Sequence, residues 1–429
     1  MSASRPCRAL RLPVIALTLL LLGCSAPAVA PSPAPASTTV VTPEGLRLGQ
    51  VRATVDALVK SARTRDRAGF ERLISGRDPS FPNRARLLYD NLSTLPLTRL
   101  QMRVEPTQFG LAAARTQLLG SGAWAQRAVV TWRLAGDDAD VEQQIWLTFL
   151  SDGGQLRLAG TVDEPPSRIA EQKPSWWLGP LTFSEREGVT VIAGSGQSLE
   201  RWANLAAAAL DNVRDNLPDG LRLSWSGHIV MEVPATPRDF ESILGERPGS
   251  YDSIAAVTRR TGTADGATRI VVNPKAAQLS STALQAVLEH EMVHVATSSP
   301  DSPTPVWAEE GLAEWVSTKG HAGQPSEATD DVLTRVRAQG APHSFPSDQE
   351  FQIGERDLRM AYAEAWLVCR YIADRYSEIQ LGRFYAELDD GHSLGEASQS
   401  ALNISEAELI IRWRAYLVRL ARASVVAPR

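Results

Sequence analysis

Two histidines and a glutamate in the second half of the chain have the types and spacing of a metal site. They belong to the run His290-Glu291-Met292-Val293-His294. Residues four apart share one face of an α-helix, so both imidazoles can reach one cation from a rigid scaffold. The glutamate between them can exchange a proton with a water molecule beside that cation. The spacing predicts a zinc site on a helix over 282–297, two ordinary helical histidines being the alternative.

A second acidic segment is placed to complete this site. Catalytic zinc takes three protein ligands and keeps one position open. Glu310 follows His294 after a loop rich in proline and serine, and can supply the third ligand from a neighbouring antiparallel helix. Glu314, one turn beyond Glu310, can hydrogen-bond the outer nitrogen of a ligating histidine. A solvated helix face is the alternative, but Trp307 and Trp315 flank these acids and favour burial.

The two motifs together resemble a known family. An H-E-x-x-H followed by W-x-x-E-G-L-A-E is similar to the gluzincin zinc metallopeptidases, the peptidase MA-like group, and the resemblance covers residues 175–429. It implies Zn²⁺ as cofactor, His290, His294 and Glu310 as its ligands, and Glu291 as general base. It also implies that Glu314 supports a ligand from behind. The fold implied is a zincin-like metallopeptidase domain, a small mixed sheet with a mostly helical C-terminal half.

The same resemblance suggests further site residues. Related enzymes carry a tyrosine on the helix after the third ligand, so Tyr362 is a candidate catalytic donor to the oxyanion, with a purely structural tyrosine as the alternative. The strand over 268–272 lies where this family keeps a substrate-pairing edge. No G-x-M-x-N element precedes the histidines, which favours an endopeptidase. The remaining histidines are weaker candidates or expected surface residues: His343, His392, His228 and His321.

The elements that position these residues are predicted in two parts. In residues 45–165, apolar residues at helical spacing, among them Val51 and Val55, precede strands near 97–104, 124–134, 144–150 and 156–162. Helices followed by an antiparallel meander predict an α+β domain. This order resembles the cone-shaped nuclear-transport-factor-like fold. Residues 175–429 begin with strands near 189–193, 227–233 and 268–274, and are almost entirely helical after 280.

Composition limits the functional classes. The 429 residues contain 44 Lys+Arg and 49 Asp+Glu, for a net charge of −5, so nucleic-acid binding has no electrostatic support. Three cysteines are too few for a disulfide scaffold. Cys369 lies among apolar residues of a predicted helix, which indicates a buried thiol rather than a nucleophile.

The first residues have the pattern of an export signal. Arg5, Arg8 and Arg11 precede the apolar run 12–22 and then Gly23-Cys24, which resembles the lipobox of bacterial lipoproteins. The resemblance implies removal of residues 1–23 and lipidation of Cys24; an ordinary signal peptide is the alternative. Residues 24–44, rich in proline and alanine, are predicted to be a tether. The protein is then expected at the cell membrane, lipid-anchored on the extracytoplasmic side.

These patterns lead to three hypotheses. The first is a zinc-dependent peptidase that hydrolyses a peptide or protein substrate at the outer face of the cell membrane. The second is a non-catalytic lipoprotein that binds a ligand or partner through its first domain. The third is a peptidase that its first domain holds inactive.

Overall fold

The computed structural model describes residues 43–165, 171–319, 327–352 and 358–423. The predicted signal peptide, Cys24, the predicted tether up to residue 42 and His321 lie outside these ranges, so the lipid anchor stays a prediction. Among the described residues, no helix has both the length and the apolar content that a membrane span requires.

Four helices and a four-stranded antiparallel sheet form the first part. The strands follow the order β1-β2-β3-β4, so β1 lies at one edge. On α1, Val51 and Val55 are fully buried and share one core with Leu100 and Val104 of β1. The elements are α1 Pro43–Arg63, α2 Arg67–Arg72, α3 Phe81–Thr94, β1 Leu97–Gly110, α4 Ala113–Leu119, β2 Trp124–Leu134, β3 Val141–Asp152 and β4 Gln155–Gly160.

A mixed five-stranded sheet opens the second part. Its order is β5-β6-β7-β9-β8, with β6, β7 and β9 parallel and the two outer strands antiparallel to their neighbours. The elements are α5 Ser175–Leu178, β5 Leu181–Arg186, β6 Val189–Gly194, α6 Leu199–Asn216, α7 Asp219–Ser224, β7 Ile229–Val233, α8 Pro237–Leu244, β8 Ala256–Arg260 and β9 Thr268–Val272.

The position of β9 corrects one expectation. The prediction that residues 268–272 form a substrate-pairing edge is wrong, because β9 lies between β7 and β8 and all five of its residues are buried. The two edge strands of the sheet are β5 and β8, and no sequence pattern predicted β8, the edge strand next to β9.

Helices fill the rest of the described chain. The hydroxyl of Ser280 caps α9 by accepting from the backbone N–H of Ala283, and Gln285 donates to Glu289 one turn further on. The helices are α9 Ser281–Ala296, α10 Val306–Lys319, α11 Glu327–Gln339, α12 Leu358–Arg375, α13 Glu378–Asp389, α14 Leu394–Leu402 and α15 Glu406–Ala423. The structure is thus of the mixed α+β class that the sequence predicts.

The two sheets belong to one compact unit, which begins at Glu44. Trp176 and Trp177 on α5 are buried in the core of the first part, next to Trp132. The amide of Asn91 on α3 donates to the carbonyl oxygens of Trp176 and Gly179, at 2.9 and 2.8 Å. The start of the second part is therefore packed into the first.

A buried ion cluster also joins the two sheets. Arg269 on β9 is fully buried and donates to both carboxylate oxygens of Asp137, in the turn after β2, at 2.9 and 2.6 Å. It also donates to Glu232 on β7 at 2.7 Å, and it lies 4.1 Å from the centre of the Trp132 ring. Burial disfavours the charge on Arg269, but the two carboxylates outweigh this effect and raise the pKa of Arg269. The guanidinium thus stays charged where the two parts meet.

Candidate metal centre

Helix α9 presents both histidines from a well-anchored segment. Leu284, Leu288 and Met292 have no exposed surface and fix one side of the helix in the core. His290 and His294 lie on another side, with 14% and 10% of their side chains exposed. Their rings are 4.8 Å apart between centroids. The predicted one-turn spacing therefore brings both imidazoles together.

The third predicted ligand approaches from α10. Oε2 of Glu310 lies 3.0 Å from Nε2 of His290 and 3.5 Å from Nε2 of His294, and the two Nε2 atoms are 3.0 Å apart. The structure thus brings together the three side chains named as metal ligands from the sequence.

These distances fit one tetrahedral cation. Ligands about 2.0 to 2.1 Å from a zinc ion occupy corners about 3.3 Å apart. The three measured separations, 3.0, 3.0 and 3.5 Å, bracket that value. Two nitrogens and one carboxylate oxygen are also a donor set that zinc accepts. The residues therefore fit Zn²⁺ without rearrangement of either helix.

Charge interactions between the ligands are strong. Burial alone would lower the pKa of His290, but the hydrogen bond to Glu310 and the charge of its carboxylate raise that pKa to about 9. Burial likewise opposes ionisation of Glu310, yet the two histidines lower the pKa of Glu310 well below its usual range. The site thus combines a carboxylate with imidazoles that take up a proton. A metal cation that binds to these imidazoles would displace that proton.

The outer nitrogens of the two histidines differ in their surroundings. Oε1 of Glu314 lies 3.5 Å from Nδ1 of His290, which is the side from which the sequence predicts support. Nδ1 of His294 is buried and has no hydrogen-bond partner among the described residues. A carboxylate behind His290 fixes its ring orientation and tautomer.

Glu291, the predicted base, has a partner that the sequence did not reveal. The hydroxyl of Thr258 on β8 lies 2.6 Å from Oε2 of Glu291 and 2.9 Å from its backbone carbonyl oxygen. The edge strand therefore holds this carboxylate through a hydrogen bond from Thr258. No pattern pointed to Thr258, because β8 itself has only one strongly apolar residue, Val257, in alternation.

Helices α10 and α12 approach closely behind the site. A Cβ atom at Gly311 would lie 2.6 Å from the carbonyl oxygen of Ala365 and 3.0 Å from Sγ of Cys369, so glycine is required next to Glu310. Cys369 is buried, as predicted, and burial raises the pKa of its thiol. This contact places α12 where its Tyr362 can reach the site.

Tyr362 lies against the first ligand. Its ring centre is 6.2 Å from that of His290 and 5.4 Å from that of Phe351. Burial raises the pKa of Tyr362 far above its usual value, and the negative charges of Glu310 and Glu291 add to the effect. The hydroxyl therefore remains protonated and can serve as a hydrogen-bond donor.

A further acid lies beside the ligands. Burial raises the pKa of Glu309 to about 7, and the charge of His294 partly counteracts this increase. No sequence pattern indicates a role for Glu309, since its neighbour Glu310 matches the motif. The other histidines that the structure describes do not belong to the cluster: His228, His343 and His392 are exposed.

No protein-family model matches the chain, and no curated protein shows significant sequence similarity to it. The geometry of the site therefore carries its interpretation.

Proposed function

We propose that the chain is a zinc-dependent peptidase, an endopeptidase acting on a peptide or protein substrate at the outer face of the cell membrane. The observation that carries the proposal is the convergence of His290, His294 and Glu310, whose ligand atoms all lie within 4.8 Å of one another. The position of Glu291 between the two histidines adds the base that hydrolysis needs. The anchor at Cys24 rests on the sequence alone.

The proposed architecture follows the two family resemblances of the sequence, one for each part of the chain. For residues 175–429 it is a zincin-like domain, supported by a mixed sheet whose antiparallel edge strand contacts the histidine-bearing helix. For residues 45–165 it is a cone-shaped nuclear-transport-factor-like domain, supported by three helices followed by a four-stranded antiparallel meander.

The proposed hydrolysis assigns a separate role to the metal ligands, to Glu291 and to Tyr362. Zn²⁺ held by the three ligands would lower the pKa of a water molecule to about 7 and polarise the scissile carbonyl group. Glu291, held at Oε2 by the Thr258 hydroxyl, takes the proton of the attacking water and delivers it to the leaving amine. Tyr362 donates a hydrogen bond to the developing oxyanion, which its raised pKa allows.

Edge strand β8 provides the place for an extended substrate. In the part of the chain that the structure describes, it pairs only with β9, so its outer backbone groups face away from the sheet. A peptide added there as a strand would pass the Thr258–Glu291 contact, and its backbone would be held independently of its side chains. An internal peptide segment suits such a site, which supports the endopeptidase assignment.

Replacement of the base separates catalysis from metal binding. We expect Glu291→Gln to reduce peptide hydrolysis by at least about a hundredfold, with zinc content and folding unchanged. Glu378→Gln, at an exposed position on α13, is the matched control and should retain full activity. A peptide library digested with and without chelator is the assay, and unchanged turnover by Glu291→Gln would refute the role of Glu291.

Metal content tests the ligand set directly. Purified protein should hold close to one zinc ion per chain, and His294→Ala or Glu310→Gln should reduce this content below about 0.2. Wild-type protein with as little zinc as these variants would favour the non-catalytic hypothesis.

The interior of the first part bears on that second hypothesis. The space between its helices and sheet has a volume of only about 30 Å³, next to Trp176 and Trp177. This is room for about one water molecule. This cavity is too small for a ligand and therefore does not support the second hypothesis.

A further inference from the structure

A wide opening of the first part lies outside its core, along the edge of its sheet. It is a groove of about 710 Å³ between α1 and the free edge of β1. Five consecutive residues of β1, from Arg99 to Arg103, line it, so the backbone edge itself runs along the groove. Among the described residues, strand β1 pairs only with β2, which leaves alternate N–H and C=O groups directed towards this opening.

The groove is basic on an acidic protein. Its lining contains four basic residues, Lys60, Arg63, Arg99 and Arg103, and two acidic ones, Asp56 and Glu142. The whole chain has a net charge of −5. Two of the basic residues are already paired: Arg99 shares Asp140 with Arg133, and Arg103 shares Glu105 with Arg127. With these partners counted, six basic side chains face four acidic ones, and in the described part of the chain neither Lys60 nor Arg63 forms an ion pair. The local excess of positive charge therefore favours an anionic partner.

The two sides of β1 specify which anionic partner fits. Arg99, Gln101 and Arg103 point to the exposed side of the strand, whereas Leu100 is buried and Met102 is half-buried towards α1. An added strand would place alternate side chains opposite these two sets. The complementary sequence therefore alternates acidic and apolar residues, over about 17 Å of strand for five residues.

We propose that this groove binds an extended acidic peptide segment of a partner protein, which adds to β1 as a fifth strand. Arg99 and Arg103 each pair with one carboxylate, of Asp140 and Glu105, but their side chains stay 44% and 67% exposed and can contact acidic side chains of the added strand as well. Lys60 and Arg63 supply positive charge from α1, and Val59 and Met102 cover the apolar side chains. Basic side chains alone would also protect an edge from aggregation. Helix α1, however, forms a groove together with this edge, and protection of the edge from aggregation does not require a groove.

This proposal is independent of the proposed peptidase function. The groove is lined only by residues of the first part, and the candidate metal ligands are on α9 and α10. Binding can therefore be measured with a chelator present, so that hydrolysis at the metal centre does not consume the probe.

The test uses fluorescence anisotropy of a labelled decapeptide of alternating glutamate and valine. We expect saturable binding that weakens with salt, and at least about tenfold weaker binding of the corresponding lysine–valine peptide. The glutamate–valine peptide with alternate backbone nitrogens methylated should also bind at least about tenfold more weakly, since it cannot pair as a strand.

Paired variants locate the site. The double substitution Lys60→Gln and Arg63→Gln should weaken binding at least about fivefold. Arg72→Gln with Arg238→Gln removes the same charge at exposed positions away from the groove and should have no effect. Circular dichroism checks that both variants are folded.

Three outcomes would overturn the proposal: no binding of the glutamate–valine peptide, equal binding of its N-methylated form, or equal losses in the two paired variants. Vesicles of phosphatidylglycerol serve as the competing probe. If the Lys60/Arg63 variant loses vesicle binding while no peptide binds, the groove faces an anionic lipid surface and the peptide proposal is wrong.

Discussion

Removal of the cation from the buried cluster between the two sheets should be the most damaging single substitution outside the metal centre. In Arg269→Met, a side chain of similar length fills the space, but Asp137 and Glu232 remain as carboxylates with 0% and 2% of their side chains exposed. Asp137 keeps one donor, the backbone N–H of Leu134 at 2.7 Å, whereas Oε2 of Glu232 already lacks a hydrogen-bond partner among the described residues.

The magnitude follows from these contacts. Breaking a buried ion pair by removing one partner costs about 3–5 kcal/mol, because the remaining charge has no compensation. Loss of the guanidinium over the Trp132 ring adds about 1 kcal/mol. We therefore expect Arg269→Met to lower the free energy of unfolding by at least about 4 kcal/mol. The control is Arg260→Met on β8, since Arg260 pairs at 3.4 Å with Asp138, which is half-exposed; it should cost about 1 kcal/mol or less.

Urea unfolding, followed by both tryptophan emission and circular dichroism, measures these changes; coincident transitions justify a single free energy. Addition of Asp137→Asn and Glu232→Gln to Arg269→Met should recover more than half of the loss, because no unbalanced charge then stays buried. A loss in Arg269→Met no larger than in Arg260→Met, or no recovery in the triple variant, would refute this reasoning.

Three further predictions concern the metal centre and its surroundings. Gly311→Ala should cost about 1–3 kcal/mol of stability in thermal melts and reduce zinc content, since the new Cβ would collide with the backbone of α12. The control Gly49→Ala, in open space on α1, should stabilise the protein by about 0.5–1 kcal/mol. Equal effects of the two substitutions on stability would contradict the close contact at Gly311. In chelator-treated protein, the raised pKa of His290 contributes stability that is complete below pH 6.5 and lost by about pH 9. Across this interval the free energy of unfolding should fall by up to about 3 kcal/mol, and the melting temperature should fall with it. His290→Gln should abolish this fall. A wild-type melting temperature that does not change between pH 6.5 and about pH 9 would contradict the pairing with Glu310. In a chain that starts after residue 24, Cys369 should react with a thiol reagent only after unfolding, and rapid labelling of the folded chain would show that the thiol is accessible.

Much of the site could be predicted from the sequence because its parts are local. The spacing of His290 and His294 fixes their common face once a helix forms, and Glu310 lies on the next helix along the chain. The apolar stripe of α9 and the long strands β2 and β3 could be predicted for the same reason, because the spacing of their apolar residues matches the residues that are buried.

The contributions from distant segments could not be predicted. Thr258 contacts Glu291 across 33 residues of sequence, and the short strand that carries it has two arginines and little alternation. Strand β9 was mistaken for an edge because its apolar run fits either an outer or an inner strand until its neighbours are known. The Asp137–Arg269 contact spans 132 residues, and neither charged residue is distinguishable in the sequence from a surface one.

Trp176 and Trp177 have a consequence for any attempt to divide the gene. A cut between residues 165 and 175 would leave the first fragment with an open cleft where two indole rings belong, and the second fragment with those rings exposed to water. Neither fragment would be expected to stay soluble alone. The two fragments produced together should reassociate, because the two tryptophan rings can then return to the core of the first part. The chain is therefore better suited to split-protein complementation than to exchange of its halves between homologous proteins.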